Sequence, residues 1–449
     1  MKTKVRFMVY NAYGIGGTVK TVFNFANYMQ ATGKFESEII SIRRTRETPM
    51  LPLNVGIKVI YLQDARRAAK YSEEDRILLD QPSKLIHAEE DLYAMFNAYT
   101  DKKMKKVFGE MHGGVLITTM PSFNMLSTQI VDSTVLKIGQ EHKSYDDHTP
   151  GIQKMIRESY GQLDALTILT EKNRHIYERK IRGNVPIYVL GNGTQRRPYR
   201  VSLKNHIIVA AGRYAEQKGY DMLIRAFALI AREHSDWIIK IYGEGGLTDN
   251  YIKLIHEFNL ENQIILEPGT DKMDEKLSEA AIHVCSSYYE PFGMVIIEGF
   301  AMGLPCISFA CDGPREIITN GFDGIVVPKE DINALAMAMA KVMDDETYRM
   351  YLGKNAYETS KKYDIEVVGN NLNKIVETEK KNKETKTTTM HSNTEKETNF
   401  TEALKEEEIS NEEIDYGELI NMASEGRIGV RSLIKMLIAW FGYKVHMNK

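Results

Sequence analysis

Near its start the sequence has a short apolar run that leads through glycines into a helical pattern, and this order limits the folds open to the chain. Val5–Tyr10 predicts a buried strand, Asn11–Gly17 supplies the glycines of a turn, and Thr18–Ala31 has helical periodicity. A strand, a glycine turn and a helix in this order open a doubly wound α/β domain. The run is too short for a secretory signal and lacks a cleavage site, which favours a first strand over a targeting segment.

The same order of elements recurs along most of the chain. In the first half the further strand-like runs are Ser37–Ile42, Lys58–Leu62, Val115–Thr119, Leu136–Gly139, Leu166–Thr170 and Ile187–Leu190. In a second cycle they are Ile207–Ala211, Trp237–Tyr242, Ile264–Glu267, His283–Ser286, Pro305–Phe309 and Gly324–Val327. The pattern predicts two doubly wound α/β domains, which we place at residues 1–195 and 196–360. Such sheets bind ligands at the carboxyl ends of their strands, so we expect one site in the central cleft.

Composition narrows the class of protein. Lys and Arg number 58 against 61 Asp and Glu, a near-neutral balance that gives no general drive toward nucleic acid. Three cysteines among 449 residues do not make a disulfide framework, and no second Cys or His cluster completes a zinc site. Small buried thiols in a reducing cytosol are therefore expected. No apolar run of about 18 residues occurs that could cross a bilayer.

The character of the chain changes after about residue 380. Residues 381–420 carry 11 acidic and 5 basic side chains, which predicts an acidic, flexible linker. Residues 421–449 carry five Lys or Arg and one Glu, with apolar side chains on one helical face. This basic amphipathic helix either docks on a membrane surface or packs on protein, and the sequence leaves both alternatives open.

Two glycine-containing turns are suited to phosphate. Gly16 and Gly17 place backbone N–H groups at a helix N-terminus, where the helix dipole favours an anion. The full dinucleotide-binding spacing fails because Val19 stands where a glycine is needed, which disfavours a dehydrogenase. In the second half, Arg213 and Lys218 lie in a loop between a strand and a helix. Two cations beside one cleft suit a leaving diphosphate that no metal neutralises.

A pair of carboxylates follows at a loop-to-helix junction. Glu290 and Glu298 stand eight residues apart in Glu290-Pro-Phe-Gly-Met-Val-Ile-Ile-Glu298. Gly293 lets the backbone approach a ligand, and the first helical turn can donate N–H groups to phosphate. Because its neighbours are strongly apolar, Glu298 needs a polar partner, and a ribose diol would supply two donors.

Together these motifs resemble glycosyltransferase family 4. The resemblance covers residues 1–378 and is carried by Arg213…Lys218-Gly219, Glu290…Glu298, Gly303-Leu-Pro305-Cys-Ile and Asp312-Gly-Pro-Arg-Glu316. Three segments are similar to a bacterial subgroup that often acts on wall polymers or surface glycans: Ile117–Asn124, Gly139–His142 and Leu163–Thr170. The family implies a GT-B fold, in which two Rossmann-like domains face a central cleft and a helix, here at 361–380, crosses back to the first domain. It also implies retaining chemistry that does not depend on a metal.

The resemblance also implies roles for individual residues. Those that would act at the reacting centre are His142, Arg213, Lys218 and Glu290. Those that would hold the donor are Gly16, Gly17, Gly269, Thr270, Phe292, Gly293, Met294 and Glu298. Arg213 and Lys218 would neutralise the leaving diphosphate, and the two glutamates would bind the sugar hydroxyls and the ribose. His142 would lie under the donor sugar, with nearby His148 as the alternative.

The implied activity is retaining transfer of a hexose or N-acetylhexosamine from a nucleotide-diphosphate sugar, expected to be UDP-linked. The acceptor would be a cell-surface glycan, a teichoic-acid-like polymer or a lipid-linked glycan, reached from the cytoplasm or the inner face of the membrane. No cofactor, metal or nucleic acid is expected. Two alternatives stay open: a non-catalytic GT-B partner subunit, and a sugar-nucleotide epimerase. Partner subunits usually lose one of the charged pairs, and the epimerases lack the Glu-Pro-Phe-Gly arrangement.

Overall fold

The structure is a computed structural model that describes residues 2–198, 201–270 and 272–406, with side chains described as far as Lys386. Two compact units divide the chain, Met1–Val376 and Glu377–Lys449. Both sheets lie in the first unit. The described part of the second unit, residues 377–406, belongs to the last described helix, Ile365–Glu406. The predicted basic tail at 421–449 lies outside the described residues.

The first sheet has seven parallel strands in the order β3-β2-β1-β4-β5-β6-β7. These strands are β1 (Thr3–Val9), β2 (Phe35–Arg44), β3 (Lys58–Asp64), β4 (Val115–Thr118), β5 (Leu136–Gln140), β6 (Ala165–Ile168) and β7 (Ile187–Val189). Every residue of β4, β5 and β6 is buried. Continuous burial is what a parallel strand covered by helices on both faces requires, and it explains the unbroken apolar runs.

The second sheet has six parallel strands in the order β10-β9-β8-β11-β12-β13. These strands are β8 (Ile207–Ala211), β9 (Ile238–Tyr242), β10 (Ile264–Glu267), β11 (Ile282–Cys285), β12 (Cys306–Phe309) and β13 (Gly324–Val327). In each sheet the strand order reverses beside the first strand of its domain, β1 or β8. Such a reversal opens a crevice at the carboxyl ends of the strands, where ligands bind in doubly wound folds.

Helices connect the strands on both faces of each sheet. Those of the first half are α1 (Gly17–Ala31), α2 (Glu73–Leu79), α3 (Ala98–Gly109), α4 (Pro121–Ile130), α5 (Pro150–Ser159) and α6 (Glu171–Lys180). Those of the second half are α7 (Tyr220–Ala228), α8 (Thr248–Glu257), α9 (Met273–Ser278), α10 (Met294–Met302), α11 (Asp312–Ile317), α12 (Ile332–Asp344), α13 (Glu346–Ser360) and α14 (Ile365–Glu406).

Each sheet has its own hydrophobic core. Phe7 and Ile117 of the first sheet pack with Phe23 of α1, and Leu372 of α14 lies in the same buried cluster. Since α14 follows the last helix of the second half, the chain returns to the first domain there. The Asp364 backbone also pairs with that of Thr194, which lies in the chain segment that joins the two sheets.

The thirteen predicted strands are present, with ends shifted by at most two residues. Two stretches differ from expectation. The charged sequence of residues 64–106 predicts mostly helix with a break at Pro82, yet residues 80–97 hold only one short 3₁₀ turn, between α2 and α3. Helix α14 continues to Glu406 through residues predicted as a flexible linker. Lys and Glu favour helix, so a helix packed at its start can extend through a polar sequence.

Candidate functional site

Two helix N-termini face each other across the cleft. Helix α1 begins at Gly17 directly after the loop that follows β1, and α10 begins at Met294 in the loop region that follows β11. A side chain added at Gly17 would contact the Met294 side chain at 3.7 Å. The Thr21 hydroxyl lies 3.9 Å from the Met294 sulfur. The backbone N–H groups in the first turns of α1 and α10 therefore lie beside the same small space. The dipoles of both helices favour negative charge there.

Lys218 and Glu290 form an ion pair at the end of the second sheet. The Lys218 ammonium donates to a Glu290 carboxylate oxygen at 2.7 Å, and both side chains are largely buried. Burial acts to lower the pKa of Lys218, but the charge of Glu290 and its hydrogen bond raise that pKa above the usual value. Lys218 is therefore a cation at every physiological pH, held in place by a carboxylate that it shields.

The backbone around Glu290 is fixed by close contacts. The Glu290 carbonyl oxygen accepts a 3.0 Å hydrogen bond from the Gly313 amide. A side chain at Gly313 would collide with the carbonyl oxygen of Phe292, so only glycine fits there. Gly293 has a φ of 112°, in the region that strongly favours glycine, and caps α10. The loop can thus present the N–H groups of Gly293 and Met294 beside the Glu290 carboxylate.

Glu298 reaches across the cleft to a residue that sequence reasoning missed. Its carboxylate accepts a 2.6 Å hydrogen bond from the Lys20 ammonium, and Glu298 is only 8% exposed. Lys20 lies in the first turns of α1, three residues after Gly17. The predicted need of Glu298 for a polar partner is met, by a lysine of the other domain. The sequence signal was the apolar setting of Glu298, which indicated a partner without indicating which one.

Arg213 is placed differently from Lys218. Its side chain is exposed, and within the described residues it makes no ion pair. Its charge nevertheless acts to lower the pKa of Lys218, so the two cations lie near each other. The loop between β8 and α7 therefore combines a largely buried, paired cation with an exposed one.

The two histidines after β5 have distinct settings. The ring of His148 is buried and lies 3.1 Å from the Glu141 carboxylate, which also accepts from Asn124 and Tyr160. His142 is partly exposed and lies 3.1 Å from the Gln140 side chain. Burial lowers the pKa of His142 to about 4, so its imidazole is neutral near pH 7. His148 is therefore a core residue, and His142 is the histidine with access to solvent.

The remaining predicted donor residues are more dispersed. Gly269 and Thr270 follow β10, the edge strand of the second sheet, and a side chain at Gly269 would meet nothing within 4 Å. The Thr270 hydroxyl accepts from the Lys272 amide at 3.0 Å. Gly16 is the N-cap residue of α1. The structure thus gathers the glycine turn and the two ion pairs, while the Gly269 turn lies at the sheet edge.

The motif Asp312–Glu316 also bridges the two domains. Asp312 accepts from Lys172 at 2.7 Å and from the Ser144 hydroxyl at 3.1 Å. The Glu316 carboxylate accepts from the Glu171 amide at the start of α6 at 2.8 Å. These contacts fix α11 against the loop that carries His142.

Among the described residues, no group of three or more His, Cys, Asp or Glu is placed to hold a metal ion. Within that part of the chain no helix is long and apolar enough to span a membrane. The three cysteines Cys285, Cys306 and Cys311 are free and buried, and burial raises the pKa of each thiol.

Two parallel Rossmann-like sheets that share one cleft define the GT-B class of fold. Residues 192–359 match the family model described as "Glycosyl transferases group 1". This segment of the chain is therefore similar to that family, which corresponds to glycosyltransferase family 4.

Similar proteins include relatives and solved structures. The chain is 29% identical over 378 residues to an exopolysaccharide phosphotransferase of Streptomyces coelicolor, covering 81% of this chain and 40% of that protein. It is 25% identical to a poly(glycerol-phosphate) alpha-glucosyltransferase of Bacillus subtilis, covering 49% of this chain and 34% of that protein. The chain thus spans less than half the length of these relatives. A TarM mutant of S. aureus, in complex with fondaparinux, alpha-GlcNAc-glycerol and UDP, has the same fold, with a TM-score of 0.67 at 15% identity over 83% of this chain and 99% of that one.

Proposed function

We propose that this protein is a retaining glycosyltransferase that moves a hexose or N-acetylhexosamine from a UDP-sugar to a cell-surface glycan or polymer. One observation supports the proposal most directly. The ion pairs Lys218–Glu290 and Lys20–Glu298 lie beside the N-termini of α1 and α10 in the same part of the cleft. This arrangement supplies both positive potential for a diphosphate and carboxylates for hydroxyl groups.

The chemistry needs a site for departing charge. When a sugar leaves a nucleoside diphosphate, negative charge grows on the phosphate oxygen that departs. Lys218, Arg213 and the N–H groups of α1 and α10 would stabilise that charge without moving, which lowers the barrier of the transition state. The neutral imidazole of His142 would lie on the sugar side of the cleft, where it can accept a hydrogen bond from a hydroxyl.

The carboxylates would select the sugar and the nucleotide. Glu290 shares one of its oxygens with Lys218 and Ser287, which leaves the other available to a sugar hydroxyl. Glu298 would bind the two hydroxyl groups of a ribose once Lys20 turns aside. Retention would follow from attack on the face from which the diphosphate leaves, with the leaving phosphate as the base.

The names of the relatives support the class of donor and acceptor. One relative is called a poly(glycerol-phosphate) glucosyltransferase, and one structure of the same fold was solved with UDP and alpha-GlcNAc-glycerol. Both names join a sugar to a glycerol-containing acceptor. Surface polymers of that kind are therefore the acceptors to try first, and residues 421–449 would bring the protein to the inner face of the membrane.

The test is a donor screen that reads transfer and binding separately. The protein is incubated with UDP-glucose, UDP-galactose, UDP-N-acetylglucosamine or GDP-mannose in the presence of EDTA, and free nucleoside diphosphate is followed. We expect the wild-type protein to release UDP from UDP-sugars. Glu290→Ala should lose this activity although it still binds UDP. Strict dependence on Mg²⁺ would contradict the mechanism. Binding without release by any donor would favour a non-catalytic partner subunit, and a changed sugar nucleotide would favour an epimerase.

A further inference from the structure

A group of five arginines, here called the arginine cluster, lies at the carboxyl ends of β2 and β3. Its members are Arg43, Arg44, Arg46, Arg66 and Arg67. Only Glu47 and Asp64 are acidic in the segments 43–47 and 64–67. The donor site described above uses none of these residues.

The carboxylates neutralise only part of the cluster. Arg66 pairs with both Asp64 and Glu47, and Arg44 pairs with Glu47 at 2.9 Å. Arg46 and Arg67 are exposed, and neither forms an ion pair with another described residue.

Arg43 also forms no ion pair with a carboxylate of the described residues. Its guanidinium donates to the Tyr10 hydroxyl at 3.2 Å, and its buried Nε atom has no hydrogen-bond partner in that part of the chain. Arg43, Arg46 and Arg67 are therefore cations without a carboxylate partner among the residues that the structure describes.

The cluster lies on the same edge of the sheet as the glycine turn before α1. The Arg43 amide donates to the Tyr10 carbonyl oxygen at 3.0 Å, and the Asn11 side chain donates to Thr45 at 3.2 Å. Adjacent strands are about 4.8 Å apart, so the ends of β2 and β3 lie roughly 5 to 10 Å from that of β1. The arginines therefore border the cleft on its first-domain side.

Aromatic rings accompany the charges. The Arg44 guanidinium lies 4.9 Å from the centre of the Tyr61 ring and 5.8 Å from that of Tyr13. Tyr61 is 41% exposed. Tyr13 is buried, so Tyr61 is the ring of this pair that a ligand can reach. A surface with an exposed ring and arginine forks can bind a chain that alternates apolar sugar or glycerol faces with anions.

We propose that the arginine cluster binds the acceptor, and that the acceptor is a polymer with phosphodiester groups along its chain. Arginine forks match the paired oxygens of phosphate, which a neutral glycan lacks. Uncompensated cations beside the cleft would hold one or two phosphates of the polymer while the next unit reaches the donor sugar. This inference rests on the proposed function, because it assigns the acceptor of that reaction.

The experiment measures binding directly, so that it does not depend on catalysis. A fluorescent glycerol-phosphate oligomer is titrated with the full-length protein at two salt concentrations, with a uronate oligosaccharide and a neutral glucan of equal length as comparisons. The expected result is tight, salt-sensitive binding of the glycerol-phosphate oligomer, weaker binding of the uronate and no binding of the glucan. Equal binding of all three, or of the uronate and the phosphate oligomer, would overturn the assignment.

The variant is Arg46→Gln/Arg67→Gln, chosen because both side chains are exposed and unpaired within the described residues. Binding of the glycerol-phosphate oligomer should weaken by about tenfold and become less dependent on salt. The matched control is Lys253→Gln/Lys354→Gln, which removes two exposed charges from the second domain. An equal loss in the control would show general charge attraction and refute the cluster. UDP binding is measured in a separate titration. Loss of UDP binding would contradict the proposed donor site, whereas the polymer titration alone tests the arginine cluster.

Discussion

Replacing Lys218 by methionine should change both the stability and the activity of the protein, for separate reasons. The ammonium lies 2.7 Å from a Glu290 carboxylate that is 8% exposed. Removing it leaves a largely buried carboxylate without its counter-ion. It also removes the fixed cation that we place beside the departing diphosphate.

The two effects have different magnitudes. Loss of one partner from a fully buried pair costs about 3–5 kcal/mol, and the partial exposure of Lys218 reduces this to about 2 kcal/mol. Loss of one preorganised donor to developing charge costs about 3–4 kcal/mol of barrier, which corresponds to a rate lowered by roughly a hundredfold to a thousandfold. Urea unfolding measures the first, and release of UDP at saturating donor measures the second.

A double variant separates the two effects. In Lys218→Met/Glu290→Gln the buried charge is removed with its partner, so the free energy of unfolding should recover most of the loss. Transfer should stay at or below that of the single variant, because the cation is still absent. The reasoning is refuted if Lys218→Met keeps wild-type turnover, or if the double variant regains activity together with stability.

Two further substitutions test other parts of the structure. Lys20→Met removes the ion pair with Glu298 and should lower the free energy of unfolding by about 1 kcal/mol, whereas Lys20→Arg should not; equal urea midpoints for all three proteins would contradict the contact. His283 is buried, neither of its ring nitrogens has a hydrogen-bond partner among the described residues, and burial lowers its pKa to about 4 from 6.5. The unfolded chain therefore takes up the proton first, and stability should fall as the pH falls from 6.5 toward 4. The loss attributable to His283 is about 2 kcal/mol at pH 5, and His283→Leu should make unfolding between pH 7 and 5 less pH-dependent; an unchanged slope would count against this.

The fold was largely predictable because the central strands of its sheets are buried on both faces. Runs such as Val115–Thr118 and Ala165–Ile168 consist mainly of apolar residues, and their apolar pattern locates them well. The stretch between α2 and α3 was harder, since its polar residues satisfy one another through side-chain contacts. Asp101, for example, accepts from the Ser83 hydroxyl and from the Lys84 amide. Such contacts depend on the tertiary fold and leave no periodic signal.

The candidate site was predictable only where its residues are close in sequence or joined by a motif. Glu290 and Lys218 are recognised as members of two motifs, and the structure brings them into contact. Lys20 and Glu298 are 278 residues apart, and no spacing rule connects them. The difference between Arg213 and Lys218 was also hidden, because burial of a loop cation depends on how the neighbouring loop folds over it.

The three buried thiols give the second domain a built-in reporter. Their raised pKa values leave almost no thiolate at neutral pH. Alkylating reagents should therefore not modify the three cysteines while the second domain is folded around them. No cysteine stands elsewhere in the sequence. The rate of alkylation therefore measures how often this half of the molecule opens, and a nucleotide that binds there should slow the labelling without any added probe.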